Sequence, residues 1–317
     1  MASIARAAVD KGFDFLVVGA QKSGTTAIHE YLCHHPAIAM PAGKEAPFFS
    51  NDECFRRGFD AFRKEHFSEA RPDQVWGKVS PQYMTSEAIV DRVARSVPQA
   101  KIIAILRDPV ERARSHYKMA LRRGWETRSI DTAFAAALEP AALATARSLP
   151  AAPSSEAQCY LAWGEYGRIL GYYRTRYPGD SILILFNEHL SSDPAATIDR
   201  VLEFVGLSPG YRPANLGESI FAGGGALRFP GLKPTLKRLG ADAIMTLLSS
   251  PVRHRLRLAY KQFNERPTRR TSLPIQPSKE IEERLAEFYL GDVALLEQTF
   301  RVNAPWPRFG AVTKGPP

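Results

Sequence analysis

The chain has 317 residues, is 44% hydrophobic and 24% charged, and carries a formal net charge of +9. That balance belongs to a globular protein long enough for one elaborated α/β domain, and it excludes a disordered or fibrous chain. No apolar run approaches the roughly 18 residues that cross a bilayer; Arg6, Asp10 and Lys11 near the start leave no secretory signal, and the three cysteines, Cys33, Cys54 and Cys159, lack metal-ligand spacing and suit a reducing cytoplasm.

The first apolar run, Phe13–Val18, reads as a buried strand. It leads into Gly19-Ala20-Gln21-Lys22-Ser23-Gly24-Thr25-Thr26, a tight turn with a lysine inside it, and then a helix over Thr25–His34. Backbone N–H groups of such a turn and helix N-terminus form a phosphate cradle. In the nucleotide pattern G-x-x-x-x-G-K-[ST] the lysine directly follows the second glycine. Here Gly19 and Gly24 have that spacing, but Thr25 follows Gly24 and Lys22 precedes it. The loop is expected to hold phosphates while its lysine reaches a different atom from that of a kinase or ATPase.

Further along, strands are expected at Val75–Val79, Lys101–Leu106 and Ser181–Phe186. Helices are expected at Ser86–Ser96, Pro109–Arg123, Tyr160–Tyr177, Pro194–Val205 and Ser278–Phe300. Pro109 suits a first helical turn, Ser278 an N-cap, and Tyr166 the core side of an aromatic helix face. Strands alternating with helices predict an α/β, P-loop-type three-layer fold: a central parallel sheet flanked by helices, in one domain over residues 1–317. Ligands of such sheets bind beyond the carboxyl ends of the strands, where the turns after Val18, Val79 and Leu106 lie. Glu139–Ser155, rich in Pro, Ala and Ser, reads as a loop or lid margin, and Ser208–Gln276 as irregular around one helical stretch near Asp242–Phe263. Residues 226–270 hold eleven Lys/Arg against Asp242 and Glu265, an excess equal to the whole net charge. Such a segment fits an anionic ligand, an acidic polymer or a membrane surface, or is simply a solvated helical face.

A second anion site is suggested after Leu106, where Arg107 sits at a strand end and Ser115 two turns into the next helix. A guanidinium with a hydroxyl makes a fork for a phosphate, although Arg107 could equally pair with Asp108 or Glu111. Four segments occur in order: the turn Gly19–Thr26, then Lys44-Glu45-Ala46-Pro47-Phe48-Phe49, then Lys78-Val79-Ser80-Pro81-Gln82-Tyr83, then Leu106–Ser115. Together they resemble the sulfotransferases that use 3′-phosphoadenosine 5′-phosphosulfate (PAPS), in the branch holding the heparan sulfate enzymes and many bacterial relatives. The resemblance runs over residues 13–205, loosens through 206–277 and returns in the last helix.

The resemblance implies that Lys22, Ser23, Gly24, Thr25 and Thr26 bind the 5′-phosphosulfate, and that Arg107 and Ser115 bind the 3′-phosphate. It implies Glu45 as catalytic base, Lys78 close to the acceptor and the sulfuryl group, and Arg269 and Arg270 in a basic loop over the 3′-phosphate. PAPS would be the sulfuryl donor, adenosine 3′,5′-bisphosphate the product, and no metal is called for. The acceptor would be a carbohydrate or small molecule bearing a hydroxyl or amine, with no specific nucleic acid as partner; peripheral membrane contact and oligomeric state are left open. Pro47 stands where heparan enzymes often carry a polar residue, and no cysteine follows Cys159 to form the pair of their late loop. These departures point to a bacterial-type cytoplasmic enzyme.

The chemistry suits these residues. Charge builds on the leaving phosphate oxygen, so positioning and electrostatic stabilisation dominate. Lys22 could neutralise that oxygen, and Glu45, beside Pro47-Phe48-Phe49, could enter a partly apolar pocket that raises its pKa and take the acceptor's proton. Two other classes compete. A P-loop NTPase or small-molecule kinase would put its lysine where Thr25 stands, and a basic nucleic-acid-binding protein would leave both phosphate motifs unexplained.

Overall fold

Short apolar runs pair into one parallel sheet in the order β2-β3-β1-β4-β5, with β1 at Phe15–Gly19, β2 at Ile38–Ala39, β3 at Val75–Val79, β4 at Lys101–Leu106 and β5 at Ile182–Phe186. The structure is a computed structural model and describes residues 12–41, 44, 46–150, 152, 154–217 and 274–310. The helices are α1 (Thr25–Leu32), α2 (Asp52–Arg56), α3 (Phe59–His66), α4 (Glu87–Ser96), α5 (Pro109–Arg123), α6 (Ile130–Leu138), α7 (Pro140–Ser148), α8 (Tyr166–Arg174), α9 (Asn187–Ser192), α10 (Pro194–Phe204) and α11 (Lys279–Phe300).

Helices cover both faces, which is why the central strands read as unbroken apolar runs and not as alternating ones. Leu16, Val18, Ile102, Ala104 and Leu106 pack on one face with side chains from α4, α5, α8 and α11. Phe15, Val17, Val79, Ile103 and Ile105 pack on the other with Ile28 and Leu32 of α1 and Ile198, Val201 and Leu202 of α10. Parallel pairing of β1 with β3 and β4 places the turns after all three strands at one sheet edge. Ala20 N donates to Ile105 O at 2.7 Å and Ser80 N to Val17 O at 2.9 Å, so these turns are laced to one another.

The four expected strands and the helices that flank them are present. The edge strand β2 was not expected, because two residues carry no periodicity. Glu139–Ser155 is largely ordered: α7 fills Pro140–Ser148, with proline at its first turn and Leu143 and Ala146 buried. The long aromatic helix expected at Tyr160–Tyr177 is broken before Tyr166, where buried Glu165 accepts hydrogen bonds from Arg147 Nε at 2.9 Å and Arg168 Nε at 3.1 Å. Tyr166 is core, as expected. The basic segment 226–270 and the stretch Asp242–Phe263 lie outside the described residues. Among the described residues, no helix is long and apolar enough to cross a membrane.

Helix α11 returns the chain to the body by burying Ile281, Leu285, Tyr289, Val293 and Leu296. Its Asp292 accepts from the N–H groups of Gly167 at 2.9 Å and Arg168 at 2.8 Å, capping α8 from outside. The approach is close: a Cβ on Gly167 would lie 2.3 Å from the Asp292 carbonyl oxygen, an atom that cannot rotate away. Gly167→Ala is therefore expected to destabilise the protein by about 1–3 kcal/mol in chemical denaturation. Gly171→Ala, one turn further along α8 with open space around it, is expected to be neutral or stabilising by up to about 1 kcal/mol.

Candidate active site

The turn between β1 and α1 is shaped by two left-handed residues. Lys22 sits at φ 72°, a left-handed conformation that bulky residues avoid, and Gly24 at φ 100°. At Gly24 the space is closed as well: a Cβ would meet Asn187 Nδ2 at 2.8 Å and Leu190 Cδ2 at 3.0 Å. Gly24 caps α1 without a side chain, and the first turn holds no acidic residue. The first N–H groups of the helix thus meet no local carboxylate, and the helix dipole adds to their pull on an anion.

Positive charge converges on this turn. Burial pushes the Lys22 ammonium down to about 8, and the charges of Arg122, Arg123, Lys44 and Arg107 push in the same direction. Lys44 also bonds Thr26 Oγ1 at 2.5 Å. Arg122 and Arg123 end α5 and were not expected at the site; only the packing of α5 beside the turn brings them there. The Arg123 guanidinium lies 4.7 Å from the Trp125 ring.

Arg107 leaves β4 at the same edge, and its carbonyl accepts the Tyr166 hydroxyl at 3.0 Å. Its guanidinium does find Glu111, but at 3.5 Å, while Arg114 holds the same carboxylate at 2.6 Å and Arg308 approaches it at 3.9 Å. Arg308, from the segment after α11, also pairs with Asp108 at 2.7 Å. Asp108 caps α5 by accepting from Val110 N at 2.9 Å and Glu111 N at 3.1 Å. Ser115 is half-buried on the following helix, while its neighbour His116 is fully buried on another face.

Lys78 projects from β3 into the interior, its ammonium 5.7 Å from the Phe62 ring centre and 6.0 Å from that of Tyr83. Phe48 and Phe49 are buried in the same aromatic cluster. A small cavity of about 120 Å³ opens beside it, lined by Pro47, Cys54, Arg57, Phe62, Glu65 and His66. His29 of α1 was missed in the sequence because it lies outside the four motifs; burial first, then the charges of Lys44 and Lys78, push its imidazole down to about 4, so it is neutral. Glu45, Arg269 and Arg270 lie outside the described residues. Away from this edge, Glu30, Cys33 and His34 bring ligand atoms within 4.8 Å of one another at the end of α1, a proximity their spacing had not suggested.

Comparison with known proteins covers this same region. A family model described as the sulfotransferase domain matches residues 13–219. Bifunctional heparan sulfate N-deacetylase/N-sulfotransferase 2 of Bos taurus is 33% identical over 202 residues, 62% of this chain and 22% of that protein. Heparan sulfate glucosamine 3-O-sulfotransferase 6 of Homo sapiens is 30% identical over 192 residues, 61% of this chain and 52% of that protein. The chain thus spans about a fifth and about half of the length of these two curated relatives. A crystal structure of a sulfotransferase from Alicyclobacillus acidocaldarius has a TM-score of 0.61 at 23% identity, covering 92% of this chain and 97% of that one, a likeness of fold.

The lowered Lys22 value sets a pH dependence. An anion over the turn favours the ammonium, which is present below pH 8 and lost as the pH rises through about 8. Affinity for inorganic sulfate, a dianion throughout this range, measured by titration calorimetry, is expected to be flat below that point and to fall by up to about tenfold per pH unit above it. In Lys22→Met the fall should disappear.

Proposed function

The chain belongs to the sulfotransferase domain family, and on that premise we propose that it moves a sulfuryl group from PAPS to a hydroxyl or amine of a carbohydrate or small-molecule acceptor. One observation carries the reading: Lys22, Lys44, Arg107, Arg122 and Arg123 converge on the open N-terminus of α1 with the lysine inside the turn. Carbohydrate acceptors are favoured by the names of the two heparan sulfate relatives.

In this reading the backbone N–H groups of Ser23, Gly24, Thr25 and Thr26 hold the 5′-phosphate, and Arg107 with Ser115 holds the 3′-phosphate. Arg114 and Arg308 share Glu111 with Arg107, so that carboxylate does not neutralise Arg107 alone. Arg269 and Arg270 would close over the same phosphate. The acceptor oxygen or nitrogen attacks sulfur in line as the bond from sulfur to the bridging oxygen breaks. The electron pair stays on that oxygen, which Lys22 neutralises. Glu45 takes the acceptor's proton, and Lys78 stands near the transferred group, inside an aromatic wall that excludes water. Electrostatic stabilisation of this kind acts on charge that develops only in the transition state.

The reading is tested by sulfuryl-transfer assays against carbohydrate, phenol and amine acceptors. Lys22→Ala is expected to lower kcat by about 10²–10³, and Glu45→Gln by about 10²–10⁴ with binding of adenosine 3′,5′-bisphosphate nearly intact. Wild-type turnover in both variants would refute the assigned roles, and ATP with Mg²⁺ binding better than the bisphosphate would refute the donor.

A separate measurement isolates Arg107. Arg107→Ala should weaken binding of 3′-phosphorylated nucleotides by about 1.5–3 kcal/mol, as for a lost charge-assisted fork. Analogues without the 3′-phosphate should bind as before. Equal losses for both ligands in calorimetry would make Arg107 structural.

A further inference from the structure

Beneath the turn lies a buried polar chain that the reaction itself does not use. His116 of α5 is fully buried and stacks on Trp163, ring centres 5.3 Å apart and planes 14° from parallel. Its Nε2 meets Glu156 Oε2 at 2.5 Å, and its Nδ1 faces Arg112 Nη1 at 3.4 Å. Arg112 is fully buried too and donates to the Tyr160 carbonyl. Glu156, from the short turn Glu156–Gln158, accepts from Gln21 Nε2 through both oxygens, at 3.1 and 3.2 Å. Gln21 is the residue before Lys22.

The protonation states follow from the partners. Burial holds His116 down to about 4 against the opposing pull of Glu156, so the imidazole is neutral. Burial alone would raise Glu156, but the hydrogen bonds from His116 and Gln21 hold it below the usual carboxylate value. A carboxylate only accepts, so the His116 proton sits on Nε2 and Nδ1 is left to accept from Arg112. For the same reason Gln21 must turn its NH₂ toward Glu156, and it cannot flip. Its Oε1 is buried without a partner. Among the described residues, Glu156 is therefore the single hydrogen-bond anchor of the Gln21 side chain.

We propose that Arg112, His116 and Glu156 are positioning residues that clamp Gln21 and thereby hold the left-handed Lys22 and its turn in the shape that receives the phosphosulfate. The turn is tied by its backbone to β4 and by this clamp to α5 and the segment after α7. Lys22 is the residue whose reach depends on both. The role of the turn rests on the sulfuryl-transfer reading, whereas the clamp itself is a property of the unliganded protein and is tested as such.

Glu156→Ala removes the carboxylate to which both His116 and Gln21 are bonded. A glutamine there would not serve, because its amide could accept from His116 while donating to a turned Gln21 Oε1. Hydrogen exchange of the unliganded full chain is expected to speed up in peptides covering residues 20–26 in Glu156→Ala and in Gln21→Ala, with peptides of α8 and α11 unchanged. With saturating donor, the single-turnover rate of each variant should fall by about 10²-fold, the size expected for a misplaced catalytic group. The double variant should lose no more than either single one, because both break one clamp. Unchanged exchange over residues 20–26, or losses that multiply in the double variant, would overturn the proposal. If Glu156→Ala does not fold, Gln21→Ala alone decides the exchange result. A wild-type protein that transfers no sulfuryl group would sink the functional reading, and the exchange measurement would still judge the clamp.

Discussion

Crowded positive charge at the β1–α1 turn is the constraint on which the rest of the site depends. Burial above all, and then the charges of Arg122, Arg123, Lys44 and Arg107, destabilise the Lys22 ammonium. A bound polyanion offsets that mutual repulsion by attracting each of these cations. Burial, helped by the charges of Lys44 and Lys78, keeps His29 neutral, so charge at this edge is supplied by lysine and arginine.

The fold supports that crowding by spending its carboxylates elsewhere. Glu111 is shared among Arg107, Arg114 and Arg308, Asp108 caps α5 and pairs with Arg308, and Glu165 holds Arg147 and Arg168. Glu156 reaches the turn itself, where it accepts hydrogen bonds from His116 and Gln21. Paired in this way, the carboxylates order the framework without cancelling the potential over the helix N-terminus. Breaking the pairs of Glu165, whose carboxylate is buried, would strand its charge.

Much of this was legible before any coordinates. The four longer strands, the turn with its internal lysine, and α5 opening at Pro109 follow from periodicity and punctuation, which are local properties. What was missed has a common cause. β2 is two residues long and gains its strand character from β3. The segment at Pro140–Ser148 was read as a loop from its composition, yet Leu143 and Ala146 find apolar partners that make a helix worthwhile. Arg122, Arg123 and His29 belong to no motif, and reach the site only through the packing of the helices that carry them.

By itself, then, the sequence determined the class of fold and the turn between β1 and α1 with its internal lysine, because strand periodicity, glycine placement and the order of the motifs are all encoded within a few neighbouring residues. Tertiary structure decided which other cations surround Lys22, which carboxylates leave them unneutralised, and which buried chain holds Gln21. Those are relations between residues tens to more than a hundred positions apart, such as Gln21 and Glu156 at a separation of 135, and no local pattern records them until the sheet and its helices bring the partners into contact.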